Sequence, residues 1–248
     1  MDNQNDLEGL LRSKDALEQL VTRHFKGQKV KKKLPKQLEN EFWHFNIDRT
    51  RSNAIQFFGK GVITYTIYVL LILPTNYLII RDSEHFAMDF AFSILSLFLV
   101  GMALFFFFVF ARFRVWRAHF YKASCTIMFF TIVSVSLLLL SVSNLVLQNQ
   151  AMLFIAFLYM LGFVLSGIKP FHMLWVGGVA ALTVIISLYA LNIPCDLLIL
   201  ARMFIGSMLL GFSMSVMLNT KERKFFIKSK ISEIDEKILR LQASELLH

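Results

Sequence analysis

The chain has 248 residues, 56% of them hydrophobic, and a formal net charge of +9. This composition is too apolar for a soluble domain of the same size, which excludes a soluble globular protein. The positive charge does not indicate nucleic-acid binding, because the basic residues flank the apolar stretches, as orientation in a membrane requires. We therefore expect an all-α integral membrane protein with no nucleic-acid partner.

The first predicted region, residues 1–56, is polar. Leucines at helical spacing between charged residues predict an amphipathic cytosolic helix over residues 6–24. This helix could pack on the C-terminal helix of its own or a second chain, or it could lie on lipid. A second helix is predicted over residues 37–57, with an interfacial face made of Leu38, Phe42, Trp43 and Ile47.

The segment between these two predicted helices is rich in lysine. Lys29, Lys31, Lys32 and Lys33 precede the first apolar stretch closely enough to contact anionic lipid headgroups. Such contacts contribute about 1 kcal/mol for each basic residue near the membrane surface. A solvated linker explains the same residues equally well, and the sequence leaves both interpretations open.

Six apolar stretches form the second predicted region, residues 57–218. Each is close to the roughly 20 residues that a helix needs to cross a hydrocarbon core of about 30 Å. The predicted spans cover residues 57–80, 86–111, 123–143, 151–168, 173–191 and 197–218. The sequence thus predicts a six-helix transmembrane bundle.

The distribution of positive charge predicts the orientation of this bundle. Nearly all of the 26 Lys and Arg residues precede the first span, follow the sixth, or lie in the connections after the second and fourth spans. Positively charged connections stay in the cytoplasm, so we expect both termini to be cytoplasmic. The opposite connections are short, so any ligand would be a small molecule, a lipid or a membrane protein that reaches the bundle itself.

Charged residues in or beside the spans are candidates for a functional site, because a charge inside a bilayer is costly. Arg202 lies in the sixth predicted span, Asp89 lies near the start of the second, and Asp196 immediately precedes the sixth. One interpretation is an ion pair between Arg202 and Asp89, with Asp196 beside it, as an input-sensitive polar site. The other is that Arg202 extends to the lipid headgroups while Asp89 lies in the interface.

The sixth span also contains a seam of small residues, at Ser207, Gly211 and Ser215. A spacing of four places them on one helix face, where small side chains allow another helix to approach closely. This small-residue seam could be the contact of a homodimer or a packing contact within a single bundle.

The third predicted region, residues 219–248, continues the sixth span as a charged exit helix. Its apolar residues alternate at spacings of four and three, which is the pattern of a two-stranded coiled coil. They are Ile227, Ile231, Ile234, Ile238 and Leu241, which we call the exit-helix seam. We expect this seam to pair with a second copy in a homodimer; alternatively, the helix lies on the lipid surface.

The sequence contains no catalytic motif. It lacks a Gly-rich phosphate loop, a zinc-binding His-Glu-x-x-His motif and a nucleophile elbow, so no cofactor or metal is expected in this chain. A small transporter or channel is an alternative, although a coupled transporter would be expected to carry several acids or broken helices within its spans. A purely structural anchor is a third possibility.

The final residues, LQASELLH over 241–248, resemble the short helix that leads into the catalytic domain of class III adenylate and guanylate cyclases. In that family a Ser-Glu-x-Leu-Leu type of segment precedes an Asn-x-Leu-Pro turn, and residues 244–248 carry the resemblance here. The order of N-terminal helices, six spans and exit helix is also similar to the bacterial membrane-bound members. The resemblance implies a homodimer in which a catalytic domain after residue 248 makes cyclic AMP from ATP with Mg or Mn.

The resemblance transfers no catalytic residue to this chain, because the metal-binding aspartates of the family have no counterpart in it. The expected function is a membrane anchor and regulatory module of a dimeric signalling enzyme, most simply an adenylate cyclase. Diguanylate cyclases and sensor kinases also combine six spans with a signalling helix and stay as alternatives. We expect a change in packing around Arg202, Asp89 and the small-residue seam to rotate the sixth span and move the exit helix.

Overall fold

The computed structural model describes residues 2–25 and 35–246 of the chain. These ranges form seven α-helices and one short 3₁₀ helix, and they contain no strand, which confirms the all-α fold class. Lys29, Lys31, Lys32 and Lys33, the predicted lipid contacts, lie outside the described residues. The helices are α1 (Asp2–Phe25), α2 (Lys36–Ile80), α3 (Phe86–Arg112), the 3₁₀ helix (Arg114–His119), α4 (Phe120–Leu140), α5 (Leu145–Leu165), α6 (Pro170–Ala190) and α7 (Leu197–Leu246).

Six of these helices are long and apolar enough to cross a membrane, as the sequence predicted. Only 11% to 39% of the most apolar window of each is buried inside the protein. The remaining apolar surface is exposed on the helices, which lipid can cover at no cost and water cannot. The length, composition and exposure of these helices are those of a multi-pass membrane protein. They are α2, α3, α4 with the 3₁₀ helix, α5, α6 and α7.

Most predicted boundaries agree with the structure to within about three residues, and two differ more. The helix predicted over 37–57 and the first span form one continuous helix, α2, of 45 residues. Helix α5 begins at Leu145, where a start at residue 151 was predicted from the polar residues before it. The reason is that Asn144 caps α5, accepting hydrogen bonds from the backbone N–H groups of Val146 and Leu147.

The chain divides into two compact units. The terminal unit consists of Met1–Asn46 with Met217–His248, and the bundle unit consists of Ile47–Val216. Helices α2 and α7 each contribute residues to both units. The sequence had assigned residues 1–56 and 219–248 to separate regions, whereas the structure groups most of these residues in one unit.

The core of the bundle unit lies among α4, α5, α6 and α7 and centres on Tyr159 of α5. This side chain is fully buried, and its ring centroid lies 5.0 Å from that of Phe204 on α7. Its hydroxyl donates a hydrogen bond of 3.1 Å to the carbonyl oxygen of Gly177 on α6. Tyr159 therefore fills the core without leaving a buried polar atom unsatisfied.

Helices α2 and α3 pack side by side and antiparallel in the same unit. Phe58 stacks on Phe108 with ring centroids 3.8 Å apart. Further along, the ring of Tyr65 lies against Gly101, and its hydroxyl donates to the carbonyl oxygen of Leu97. A glycine at position 101 lets the aromatic ring approach the α3 backbone closely.

The small-residue seam of α7 packs within its own chain. Ser207, Gly211 and Ser215 are buried. A β-carbon added at Gly211 would lie 2.7 Å from Cδ2 of Phe163 on α5, so the ring already occupies the space beside the glycine. At Gly211 the seam therefore makes a packing contact within a single bundle, whereas its use as a homodimer contact stays a prediction.

A pair of glycine substitutions on α7 tests this packing. Gly211→Ala should lower the free energy of unfolding by about 1–2 kcal/mol, because overpacking against the Phe163 ring outweighs the helix propensity of alanine. Gly206→Ala, where nothing lies within 4 Å of the added carbon, should leave stability unchanged or raise it by up to about 1 kcal/mol. Thermal unfolding of both variants in the same detergent measures the difference, and equal melting temperatures would contradict the assigned contact.

Candidate functional site

Asp89 is the fully buried acid of the bundle unit and the centre of its candidate site. It lies in the first turn of α3, where the helix dipole favours a negative charge. The buried residues of α3 include Ser93, Ser96 and Val100, spaced along one face of the helix. This inner face is polar at its start and apolar further on, so the sequence positions the carboxylate inside one end of the bundle unit.

Three donors surround the Asp89 carboxylate. Its Oδ1 accepts a hydrogen bond of 2.9 Å from the backbone N–H of Ser143, which follows α4. Its Oδ2 accepts a hydrogen bond of 2.7 Å from the Ser143 hydroxyl and one of 3.3 Å from the hydroxyl of Ser83, in the connection between α2 and α3. The carboxylate thus ties two connections to the start of α3, and these charge-assisted bonds offset the cost of its burial.

The polar contacts extend from Asp89 to the end of α2. The side-chain amide of Asn76 donates a hydrogen bond of 2.6 Å to the hydroxyl of Ser93, one turn along α3 from Asp89, and both partners are buried. We call Asn76, Ser83, Asp89, Ser93 and Ser143 the Asp89 cluster. It joins α2, α3 and the segment after α4 through side chains that the hydropathy of the spans did not reveal.

Gln148 makes a comparable buried contact within the bundle unit. Its side-chain amide donates a hydrogen bond of 2.8 Å to the carbonyl oxygen of Leu140, at the end of α4. It also donates 2.9 Å to the carbonyl oxygen of Pro194, in the connection between α6 and α7. A polar residue that suggested a loop in the sequence therefore satisfies two main-chain carbonyls from inside a helix.

The structure does not form the expected ion pair between Arg202 and Asp89. Arg202 is exposed on α7 and has no acidic partner in residues 2–25 or 35–246. Asp196 is also exposed, and its Oδ1 accepts from the backbone N–H groups of Leu198 and Ile199, so it caps α7. The three residues of the predicted polar site have three separate environments, because similar depth along two helices does not place side chains on facing sides.

The exit-helix seam is covered by residues of its own chain in the terminal unit. Ile227 is fully buried and Ile231 is partly buried, in a cluster with Phe42 and Trp43 of α2 and Leu17 of α1. Ile238 is buried as well, whereas Ile234 and Leu241 are half-buried. Phe42 and Trp43, from the face of α2 that was predicted to be interfacial, therefore pack on α7, and the first part of the seam meets α1 and α2 of the same chain.

Ion pairs flank this apolar cluster. Arg223 of α7 contacts Glu39 of α2 at 2.5 Å and lies 5.2 Å over the ring of Phe42. Glu39 also accepts a hydrogen bond of 2.8 Å from the indole N–H of Trp43. Because Arg223 and Glu39 are mostly buried, this contact orients the two helices more effectively than a fully exposed pair would.

Helix α1 is joined to α7 by a more exposed pair. Nζ of Lys14 lies 2.7 Å from Asp235, and the hydrogen bond and charge of Asp235 raise the pKa of Lys14 above its ordinary value. The lysine therefore stays charged at and above neutral pH, and the pair persists. Exposed pairs of this kind contribute roughly 0–1 kcal/mol, so α1 is held mainly by its apolar contacts.

The sites described above consist of packed apolar side chains and hydrogen-bonded polar groups. The described ranges contain no group of three or more His, Cys, Asp or Glu residues placed to hold a metal ion. No protein-family model, curated protein or solved structure matches the chain. The function is therefore inferred from the contacts of the two units and from the sequence.

Asp89→Asn tests the cluster that holds the connections of the bundle unit. With its amide oxygen kept on the Ser143 N–H, the asparagine replaces Oδ2 by an NH2 group and loses the charge-assisted bonds from the Ser143 and Ser83 hydroxyls, so we expect a loss of about 2–4 kcal/mol in the free energy of unfolding. Asp82→Asn removes an exposed acid from the same connection and should change stability by no more than about 0.5 kcal/mol. Thermal unfolding in detergent measures both, and an unchanged melting temperature for Asp89→Asn would rule out a bonding role for this carboxylate.

Proposed function

We propose that the chain is the membrane anchor and regulatory module of a dimeric signalling enzyme. The enzyme is a class III nucleotide cyclase of the adenylate type, whose catalytic domain follows residue 248. The support is the resemblance of residues 241–248 to the helix that leads into such domains, together with the order of the helices. Mg or Mn and ATP belong to that catalytic domain and not to this chain.

One observation carries the proposal. Helix α7 runs from Leu197 to Leu246 and joins an apolar segment of membrane-spanning length to a charged segment without a break. A continuous helix transmits a rotation or a shift along its axis, because hydrogen bonds join the backbone of each turn to the next turn. A membrane anchor alone, or a channel, does not require its last span to continue in this way.

The proposed setting is the inner membrane of a bacterium, with both termini in the cytoplasm. The bacterial membrane is what the resemblance to bacterial membrane-bound cyclases implies. The support for the orientation is the concentration of Lys and Arg residues before the first span, after the sixth and in the connections that an even number of crossings puts on one side. In this setting the terminal unit lies in the cytoplasm and Lys29, Lys31, Lys32 and Lys33 contact anionic lipids. The input is a small molecule, a lipid or another membrane protein that alters the packing of the spans.

The contacts of the terminal unit suggest how the output is controlled. The first part of the exit-helix seam cannot pair with a second copy while Phe42 and Leu17 occupy it. Displacement of α1 and the start of α2 would free a coiled-coil face on α7 for dimerisation, which brings two catalytic domains together. The exposed ion pairs oppose this exchange only weakly, so the buried aromatic cluster and the mostly buried pair of Arg223 with Glu39 set its cost.

The natural reading frame tests the proposal. The gene, including all sequence downstream of the codon for His248, is expressed in a bacterium that lacks its own adenylate cyclase, and cyclic AMP is measured. The proposal expects cyclic AMP from the whole frame. A stop codon directly after His248, or cyclic di-GMP or autophosphorylation in place of cyclic AMP, would overturn the cyclase assignment.

A pair of substitutions on α7 tests the coupling. Ile227→Asp places a charge in the buried cluster and should change cyclic AMP output at least about fivefold, because a buried unpaired charge disrupts the packing of the unit. Leu239→Asp adds the same charge at a side chain that is 64% exposed on the same helix and should leave output unchanged. Equal output from both variants and the unmodified protein would contradict a regulatory role for the terminal unit.

A further inference from the structure

The connection between α3 and α4, residues 112–119, exposes apolar side chains in a basic segment. All eight residues are exposed. The side chains of Phe113, Val115 and Trp116 are 56%, 84% and 45% exposed. Apolar surface of this kind is unfavourable in water. We call this segment the basic turn. An exposed apolar cluster of this kind requires a covering partner.

Contacts of two residues hold the basic turn in the bundle unit. Arg117 donates from Nε to Oδ1 of Asp48 at 3.1 Å and from Nη2 to Oδ2 at 2.6 Å, a two-pronged contact with α2. The ring of Trp116 lies edge-on to Phe110, with ring centroids 5.0 Å apart. The turn is thereby held in one arrangement, and the charge of Arg117 is neutralised within the chain.

The two other arginines of the turn are not neutralised in this way. Arg112 and Arg114 are exposed, and neither has an acidic partner among the residues that the structure describes. Lys122, at the start of α4, is exposed as well. The turn therefore combines an excess of positive charge with three apolar side chains.

The position of the basic turn indicates what covers it. Helix α3 ends at Arg112 and α4 begins at Phe120, and both are apolar enough and long enough to cross a bilayer. A short connection between two such helices lies at the depth of the lipid headgroups. Tryptophan and arginine are the side chains that suit this depth, one for its amphipathic ring and the other for its paired bonds to phosphate.

We propose that the basic turn is a binding site for anionic phospholipid headgroups. Arg112 and Arg114 bind the phosphate groups, while Phe113, Val115 and Trp116 enter the boundary between headgroups and acyl chains. The inference rests on the membrane insertion of the proposed function, but not on its cyclase assignment. An acidic protein would satisfy the arginines but would leave the apolar side chains between two membrane-spanning helices without a partner.

Tryptophan fluorescence tests this site. The full chain with Trp43→Phe and Trp175→Phe retains Trp116 as its one tryptophan and is reconstituted in vesicles of phosphatidylcholine and phosphatidylglycerol. Brominated lipid of either class is added at the same mole fraction. We expect brominated phosphatidylglycerol to quench Trp116 at least about twofold more strongly than brominated phosphatidylcholine, because the headgroup charge concentrates that lipid at the turn.

Charge-matched variants identify the residues responsible. Arg112→Gln with Arg114→Gln should abolish the excess quenching by phosphatidylglycerol, whereas Arg81→Gln with Arg240→Gln removes the same charge elsewhere and should retain it. Equal quenching by the two lipids in the unsubstituted turn would overturn the proposed selectivity.

A second reporter separates this failure from a failure of insertion. The variant with Trp43→Phe and Trp116→Phe retains Trp175, which is exposed on α6. Quenching of Trp175 without any quenching of Trp116 would show that the turn does not reach the bilayer and would overturn the lipid site alone. Absence of quenching at both tryptophans would overturn membrane insertion and with it the proposed function.

Discussion

One constraint explains the structure, which is that apolar helices of membrane-spanning length must bond their own polar groups. The six long helices satisfy their main chains internally and leave most of their apolar surface exposed. Three of the polar side chains that enter the bundle unit are hydrogen-bonded within it. Asp89 accepts from Ser143 and Ser83, Gln148 donates to two main-chain carbonyls, and the Tyr159 hydroxyl donates to Gly177. These contacts join the helices at the points where hydrophobic packing alone would not fix their register.

The same physics explains which features the sequence could predict. Apolar runs of bilayer length identify six helices, and the absence of a breaker after Leu218 predicts that α7 continues. The start of α5 was missed because Gln148 looks like a loop residue, although Asn144 before it is a residue that caps helices. The pairing of Arg202 with Asp89 was wrong because depth along a helix says nothing about the direction in which a side chain points.

Helix-packing patterns likewise predict a contact but not the identity of the contacting helix. The spacing of Ser207 and Gly211 correctly indicates a close approach, and the approaching residue is Phe163 of the same chain. The spacing of the exit-helix seam indicates an apolar partner for α7, and the first part of that seam meets α1 and α2. In the proposed signalling module, a second copy would use this face only after an intrachain exchange, and the regulatory role that we propose for the N-terminal helices is to control that exchange.

The six-span arrangement is tested most directly by measuring on which side of the membrane each connection lies. With Cys125 and Cys195 replaced by serine, single cysteines are introduced at Glu84, Asn149, Ala118 or Glu236, all of which are exposed. A membrane-impermeant maleimide is then applied to intact spheroplasts. Six crossings with both termini inside predict labelling at positions 84 and 149, and labelling at positions 118 and 236 only after permeabilisation. Labelling of both sets in intact spheroplasts, or of the second set alone, would contradict the six-span arrangement on which the proposed function depends.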